Sequence, residues 1–227
     1  LFPIALATLA MGVIGALGSG SLKTLVAWQV IISVGTLLAP ISLGSEAGLS
    51  AALFYMLSTT WTVGGLFLVS ELIANQRGSA NDRIITAPRM HNRTFLSVLF
   101  LIGAVAAAGL PPLSGFIGKL LILQSVEPGF EMAWLWSVLL VGSFLTIIAY
   151  SRAGSIVFWR TVDGHLEKPD PLNGRISVAA GALTALAIVL VVFAGPITRY
   201  TDATAEQLHN NNAYIEILQM PMVGEDD

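Results

Sequence analysis

Cysteine is absent from the 227-residue sequence. That removes disulfides, thiolate nucleophiles and Cys-ligated metal centres from the available chemistry, and leaves the redox compartment undetermined. Charge is scarce as well: 11% of residues are charged, against about 25% in soluble domains. The net charge is only −3 and the basic residues form no dense tract, which excludes the electrostatic footprint of a nucleic-acid binder. The three histidines, His91, His165 and His209, lie in loops or in the tail. No imidazole therefore stands at membrane depth, and no spacing reads as a metal site. No quinone or redox signature is visible, and no cofactor is expected. The sequence opens at Leu1 inside LFPIALATLAMGVIGAL, with no initiator Met and no basic n-region. This argues against an intact signal peptide and reads as a fragment of a longer chain.

What the sequence has in abundance is apolar length: 55% of its residues are hydrophobic. A bilayer core of about 30 Å takes about 20 apolar helical residues. Six segments qualify or nearly do: 1–17, 22–43, 50–73, 94–126, 133–158 and 176–197. A polar tail, 199–227, follows them. The expected fold is therefore all-α, a polytopic transmembrane helix bundle of about six spans with no second soluble domain. Treating each segment as one crossing puts Arg77, Arg83, Arg89, Arg93, Arg152, Arg160, Lys168 and Arg175 on one side. Only Arg199 falls on the other. By the positive-inside rule the first side is cytoplasmic, and Glu46, Glu127, Glu131 and the acidic tail lie outside.

The fourth segment is too long for one crossing. Its 33 residues would run about 48 Å as a continuous helix, and AAGLPPLSGFIGKLLIL, residues 107–123, interrupts it. Pro111 and Pro112 remove two backbone donors and push Leu110 out of the helical region, while neighbouring glycines ease irregular geometry. Broken backbone at membrane depth needs protein or water to satisfy it, so this discontinuous helix is expected to face a polar cavity. Ser114 and Gly115 belong to the same break.

Lys119 lies eight residues before Glu127, or about 12 Å inside the outer boundary. A lysine at that depth costs roughly 2.5 to 3.5 kcal/mol and belongs on an interior pathway, where changing surroundings can switch its protonation. The competing reading is a structural lysine that snorkels or caps the carbonyls of the broken helix. Lys23 stands at the start of its span, where a boundary lysine snorkels cheaply. In STTWT, residues 58–62, the hydroxyls of Ser58, Thr59, Thr60 and Thr62 fall near mid-depth. They line a hydrated path or bond back to their own helix. Glu71 and Arg152 read as groups at the cytoplasmic edge.

AGLPPLSGFIGKLLIL, with LKTLVAWQVIISVGTLL, FYMLSTTWTVGGLFLVSELI and YSRAGSIVFWR, resembles the proton-translocating antiporter family shared by respiratory complex I subunits and multisubunit Mrp/Pha cation/proton antiporters. It is most similar to the D-type subunits of the Mrp/Pha group (MrpD), over essentially the whole chain. The resemblance implies the C-terminal half of a fourteen-helix inverted-repeat fold, and a secondary-transporter subunit rather than an enzyme. Its implied cargo is protons and Na+ or K+. Its implied partners are the lipid bilayer and other subunits of a hetero-oligomeric complex, of the A, B, C, E, F and G types. The implied location is a bacterial inner membrane. Lys119 matches the family's proton-path lysine of the second discontinuous helix, and Lys23 matches the lysine before an "AYS"-like stretch, so the resemblance implies a proton path through Lys119 and Lys23. Ser58 departs from a histidine and Val63 from a lysine, so a continuous charged relay through that helix does not carry over. The alternatives are a proton-pumping subunit of a quinone-linked NADH dehydrogenase and a non-transporting membrane scaffold.

Overall fold

The structure is a computed structural model that describes residues 1–162 and 173–210. His165, Lys168 and the tail from residue 211 lie outside the described residues. Among those described there are eight α-helices. They are α1 (Phe2–Leu17), α2 (Leu22–Ile41), α3 (Glu46–Gln76), α4 (Arg93–Ala108), α5 (Ser114–Gln124), α6 (Phe130–Gly154), α7 (Gly174–Val192) and α8 (Ala194–His209). Four are long and apolar enough to cross a membrane: α2, α3, α6 with the π-helical turn Ser155–Trp159 that extends it, and α7. Their outward faces carry Leu140, Val141, Phe144 and Ile148 on α6 and Val178, Leu186, Ile188 and Val189 on α7. In water such a surface would be an aggregation liability, whereas in lipid it is the solvated face.

The helix ends are set by local chemistry. Ser21 accepts a hydrogen bond from the Thr24 N–H at the start of α2, Ser45 from the Gly48 N–H at the start of α3, and Asn173 from the Arg175 and Ile176 N–H groups at the start of α7. Each side chain satisfies a donor that the first helical turn leaves orphaned. At 31 residues, α3 extends about 46 Å and forms the spine of the bundle, packing against α2, α4, α5, α7 and α8.

At one end of the bundle the connections knit together. Residues Ala87 and Pro88 pair in parallel with Thr161 and Val162, and the Ile84 N–H donates to the Gly20 carbonyl at 2.8 Å. Arg77, counted among the basic residues of this side, is 1% exposed. Its guanidinium donates to the carbonyls of Asn81 (3.0 Å), Arg83 (2.6 Å) and Ile85 (2.6 Å). The planar fork suits this role, because it supplies several donors in fixed directions to a loop whose carbonyls have no ladder partner. Desolvation lowers the guanidinium's pKa and nearby Asp82 opposes that shift.

The sixth apolar segment does not run to residue 197. Helix α7 stops at Val192, and α8 begins at Ala194 after a one-residue break at Phe193. The α8 sequence is polar enough to leave the apolar core, yet it packs back on α3: the Ser50 hydroxyl donates to Thr201 Oγ1 at 3.0 Å and to the Asp202 carboxylate.

Candidate functional site

The break between α4 and α5 is a complete accounting of backbone groups. The last four carbonyls of an α-helix lack intrahelical partners. Here Gly109 adopts a left-handed conformation, φ 79°. Its N–H donates to the Ala106 carbonyl, and the Leu110 N–H reaches back to Val105 at 3.0 Å. This is a Schellman ending, followed by prolines that cannot continue the helix. Two carbonyls remain, those of Ala107 and Ala108. The Lys119 ammonium supplies both, donating at 3.3 Å and 2.8 Å, and gives its third hydrogen bond to Ser143 Oγ at 2.9 Å.

Of the two structural options open at the sequence level, snorkelling and capping, the structure therefore displays capping. Lys119 is 6% exposed, and the only ion pair within 4.0 Å among the described residues lies elsewhere. What faces the ammonium is the C-terminal end of α4, equivalent to about half a negative charge. Among the described residues, this internal cap is what surrounds the ammonium. A cavity of about 300 Å³ does touch Ala108 and Leu110, but Phe100, Leu101, Val105, Ile147 and Phe158 make its walls mostly apolar. Pro111 and Pro112 sit exposed on the surface of the chain.

Glycine is required at this crossing. A Cβ on Gly115 would lie 1.9 Å from the Ala106 carbonyl oxygen, so the start of α5 touches the end of α4 backbone to backbone. A Cβ on Gly109 would meet Lys119 Cδ at 2.5 Å.

The hydroxyls of STTWT do not act as one cluster, because successive helical positions point about 100° apart. Buried Ser58 donates to Ser114 Oγ at 2.9 Å and ties α3 to α5 at the break. Thr59 shares a hydrogen bond with Ser33 of α2. Thr60 is exposed and bonds back to the Met56 carbonyl, and buried Thr62 bonds back to the Ser58 carbonyl.

Lys23 is far from a bare boundary lysine. Its ammonium pairs with Glu71 at 2.7 Å, the two side chains being 44% and 40% exposed. Glu71, read as a solvated edge group, is thus half of an ion pair between α2 and α3. The Lys23 N–H also donates to Asp82 at 3.0 Å. Arg152 makes a hydrogen bond with the Ser19 carbonyl at 2.8 Å, where a boundary role was expected.

Two residues at the Lys119 site escaped sequence reasoning. Gln29 of α2 is buried; its amide Nε2 donates weakly to the Ala107 carbonyl at 3.5 Å, while Oε1 has no partner. A lone glutamine in LKTLVAWQVIIS was the available signal, since polar groups at membrane depth are costly. Ser143 carried no such signal, serine being common in membrane helices.

Residues 1–149 match the family described as NADH:quinone oxidoreductase/Mrp antiporter, TM. The chain belongs to this family. It is 32% identical to the D-type subunit of a probable K(+)/H(+) antiporter of Rhizobium meliloti (strain 1021), over 96% of this chain and 45% of the relative. It is 28% identical to the D-type subunit of the Na(+)/H(+) antiporter of Bacillus subtilis (strain 168), over 94% of this chain and 43% of the relative. The chain thus spans a little under half the length of these relatives. A chain of the Mrp complex structure from Dietzia sp. DQ12-45-1b superposes with a TM-score of 0.80 at 20% identity, covering 95% of this chain and 48% of the other. That likeness establishes the fold: a membrane bundle of the antiporter-like type, with one discontinuous helix.

Proposed function

We propose that this chain serves in a multisubunit monovalent cation/proton antiporter as the C-terminal part of a subunit of the D type, and that Lys119 passes protons through the bundle. One observation carries the reading. A membrane-embedded lysine is held by two helix-end carbonyls and a hydroxyl, with dipoles in place of a carboxylate partner. Partial charges hold an ammonium without locking it as a full countercharge would, so its proton stays exchangeable.

In this reading α1, α2, α3, the α4–α5 pair, α6 and α7 make six crossings. The end bearing Arg77, Arg83 and Arg93 faces the cytoplasm, while Glu46, Glu127, Glu131 and the tail face outside. Supporting this, the loop after α3 pairs with the segment after α6. Leu43–Ser45 gathers with Glu127 and Glu131 around a separate cavity of about 350 Å³. Pro111, Pro112 and Gly115 form the hinge. The Ser58–Ser114 bond holds the hinge to α3, with Thr59, Thr60 and Thr62 on the helix beside it. Lys23 enters only as Glu71's partner at the rim. The membrane is a bacterial inner membrane, the partners are the other antiporter subunits, and the cargo is protons with Na+ or K+.

The test is Lys119→Ala, assayed as proton-coupled Na+ and K+ efflux in everted vesicles. Loss of both supports the assignment, and unchanged transport overturns it. A second reading, a proton-pumping subunit of a quinone-linked dehydrogenase, draws on the family's joint description. Co-purifying flavin and iron–sulfur subunits would select it.

A further inference from the structure

Lys119 has three hydrogen-bond partners, and they are chemically unequal. The carbonyls of Ala107 and Ala108 accept hydrogen bonds and have no hydrogen to pass on. Ser143 Oγ, 2.9 Å from Nζ, is both acceptor and donor. It is the only one of the three through which a proton can leave Lys119 by exchange.

Most hydroxyls on these helices are already committed to their own backbone. Ser33 donates to the Gln29 carbonyl, Thr36 to Ile32, Thr62 to Ser58, Ser70 to Leu66, Thr146 to Gly142 and Thr184 to Ala180, each four residues back. Such back-bonding is the ordinary fate of Ser and Thr in membrane helices. Ser143 departs from it: its hydroxyl accepts from Lys119, and among the described residues it donates to nothing. Thr146, one turn along the same helix, makes the ordinary bond, so the difference is not a property of α6. Ser143 is also half-exposed where Lys119 is buried. It stands between the enclosed ammonium and the outside of the chain.

We infer that Ser143 is the residue through which Lys119 exchanges its proton. The inference rests on the proton-carrying role proposed for Lys119. In the step, an Nζ–H bond breaks as an Oγ–H bond forms, while the original Oγ–H bond breaks and its proton passes to a water molecule. The amine is left neutral, the serine unchanged and the water protonated. Reloading reverses each bond. When the amine is neutral, the Ser143 hydroxyl donates to its lone pair, so the same contact serves both directions.

The experiment compares Lys119→Ala, Ser143→Ala and Ser143→Thr, made in the gene and assayed for proton-coupled cation transport in everted vesicles from cells lacking the native copy. Chain levels are measured by immunoblot. With accumulation equal to wild type, Ser143→Ala is expected to slow transport at least about a hundredfold, the low side of what a positioned proton-transfer group contributes. Ser143→Thr, which keeps the hydroxyl, restores it to within about twofold, far less than the roughly hundredfold or more that losing such a group costs. The solvent deuterium isotope effect of Ser143→Thr matches wild type. Wild-type transport in Ser143→Ala, with Lys119→Ala inactive, overturns the role of Ser143 alone. So does equal loss in Ser143→Ala and Ser143→Thr, which marks a packing role. Activity in Lys119→Ala overturns the underlying reading instead.

Discussion

The two lysines of the transmembrane region are solved by opposite means. Lys23 stands at the first turn of α2, half-exposed, and meets a full countercharge in Glu71 at 2.7 Å. Lys119 stands in the middle of α5, 6% exposed, and meets only carbonyls and a hydroxyl. Where part of the side chain reaches the surface, an ion pair costs little to desolvate and contributes little. Where water is excluded, two helix-end carbonyls that need donors anyway supply the compensation. The lysine and the broken helix thus satisfy each other, which an ion pair at the same depth would not do for the backbone.

That contrast can be broken at several points, beginning with the crossing itself. Gly115→Ala places a methyl 1.9 Å from the Ala106 oxygen. Neither backbone segment can yield, so the expected loss is about 3 kcal/mol or more, read as reduced accumulation and a lower melting temperature in detergent. Near Lys23 the equivalent change should do nothing: a Cβ on Gly20 meets no atom within 4 Å.

Arg77→Ala comes next. It strips donors from the carbonyls of Asn81, Arg83 and Ile85. Asn81, Arg83 and Ile85 are exposed and the Arg83 carbonyl keeps the Ile85 N–H. From hydrogen bonds to a charged donor at roughly 1.5 to 3 kcal/mol each, discounted for water's access, about 3 kcal/mol in total is therefore expected in the same melting assay. Lys119→Met should separate stability from function. It leaves the Ala107 and Ala108 carbonyls short of donors but removes a membrane-embedded charge costing roughly 2.5 to 3.5 kcal/mol, two terms that nearly cancel. Melting should move by no more than about 2 kcal/mol, while transport is lost.

The smallest effect belongs to Lys23. A double-mutant cycle over Lys23→Met and Glu71→Gln should return a coupling below about 1 kcal/mol, as for other partly exposed pairs, and the charge swap Lys23→Glu with Glu71→Lys should be tolerated. A coupling of several kcal/mol would show that the pair is enclosed in the membrane and erase the distinction from Lys119.

Much of this architecture was legible from residue order. The apolar runs located α1, α2, α3 and α6 closely, and the double proline located the end of α4, because spans and breaks depend on local composition and on the missing proline donors. The ends of helices were less legible. Nothing local marked Phe193 as the point where the chain turns from α7 into α8, since α8 is held by Ser50 contacts some 150 positions away in the sequence. The inward turn of Arg77 was not legible for a related reason: counting charges assigns a side of the membrane and says nothing of whether a loop's own carbonyls will draw a guanidinium inward. Which of the STTWT hydroxyls faces a partner is a matter of helix rotation.

The sequence by itself determined an all-helical membrane chain and the place where its fourth segment must break. These follow from apolar length, from proline's lost donor and from the rise of a helix, all of which act locally. Only the tertiary structure decided what Lys119 touches, that Lys23 and Glu71 pair, and that Ser143 and Gln29 belong to the site. Those contacts depend on the rotation and crossing of helices far apart in the chain, set by close packing such as Gly118 against Tyr55 of α3 and Gly142 against Leu9 of α1, rather than by any residue's own preference.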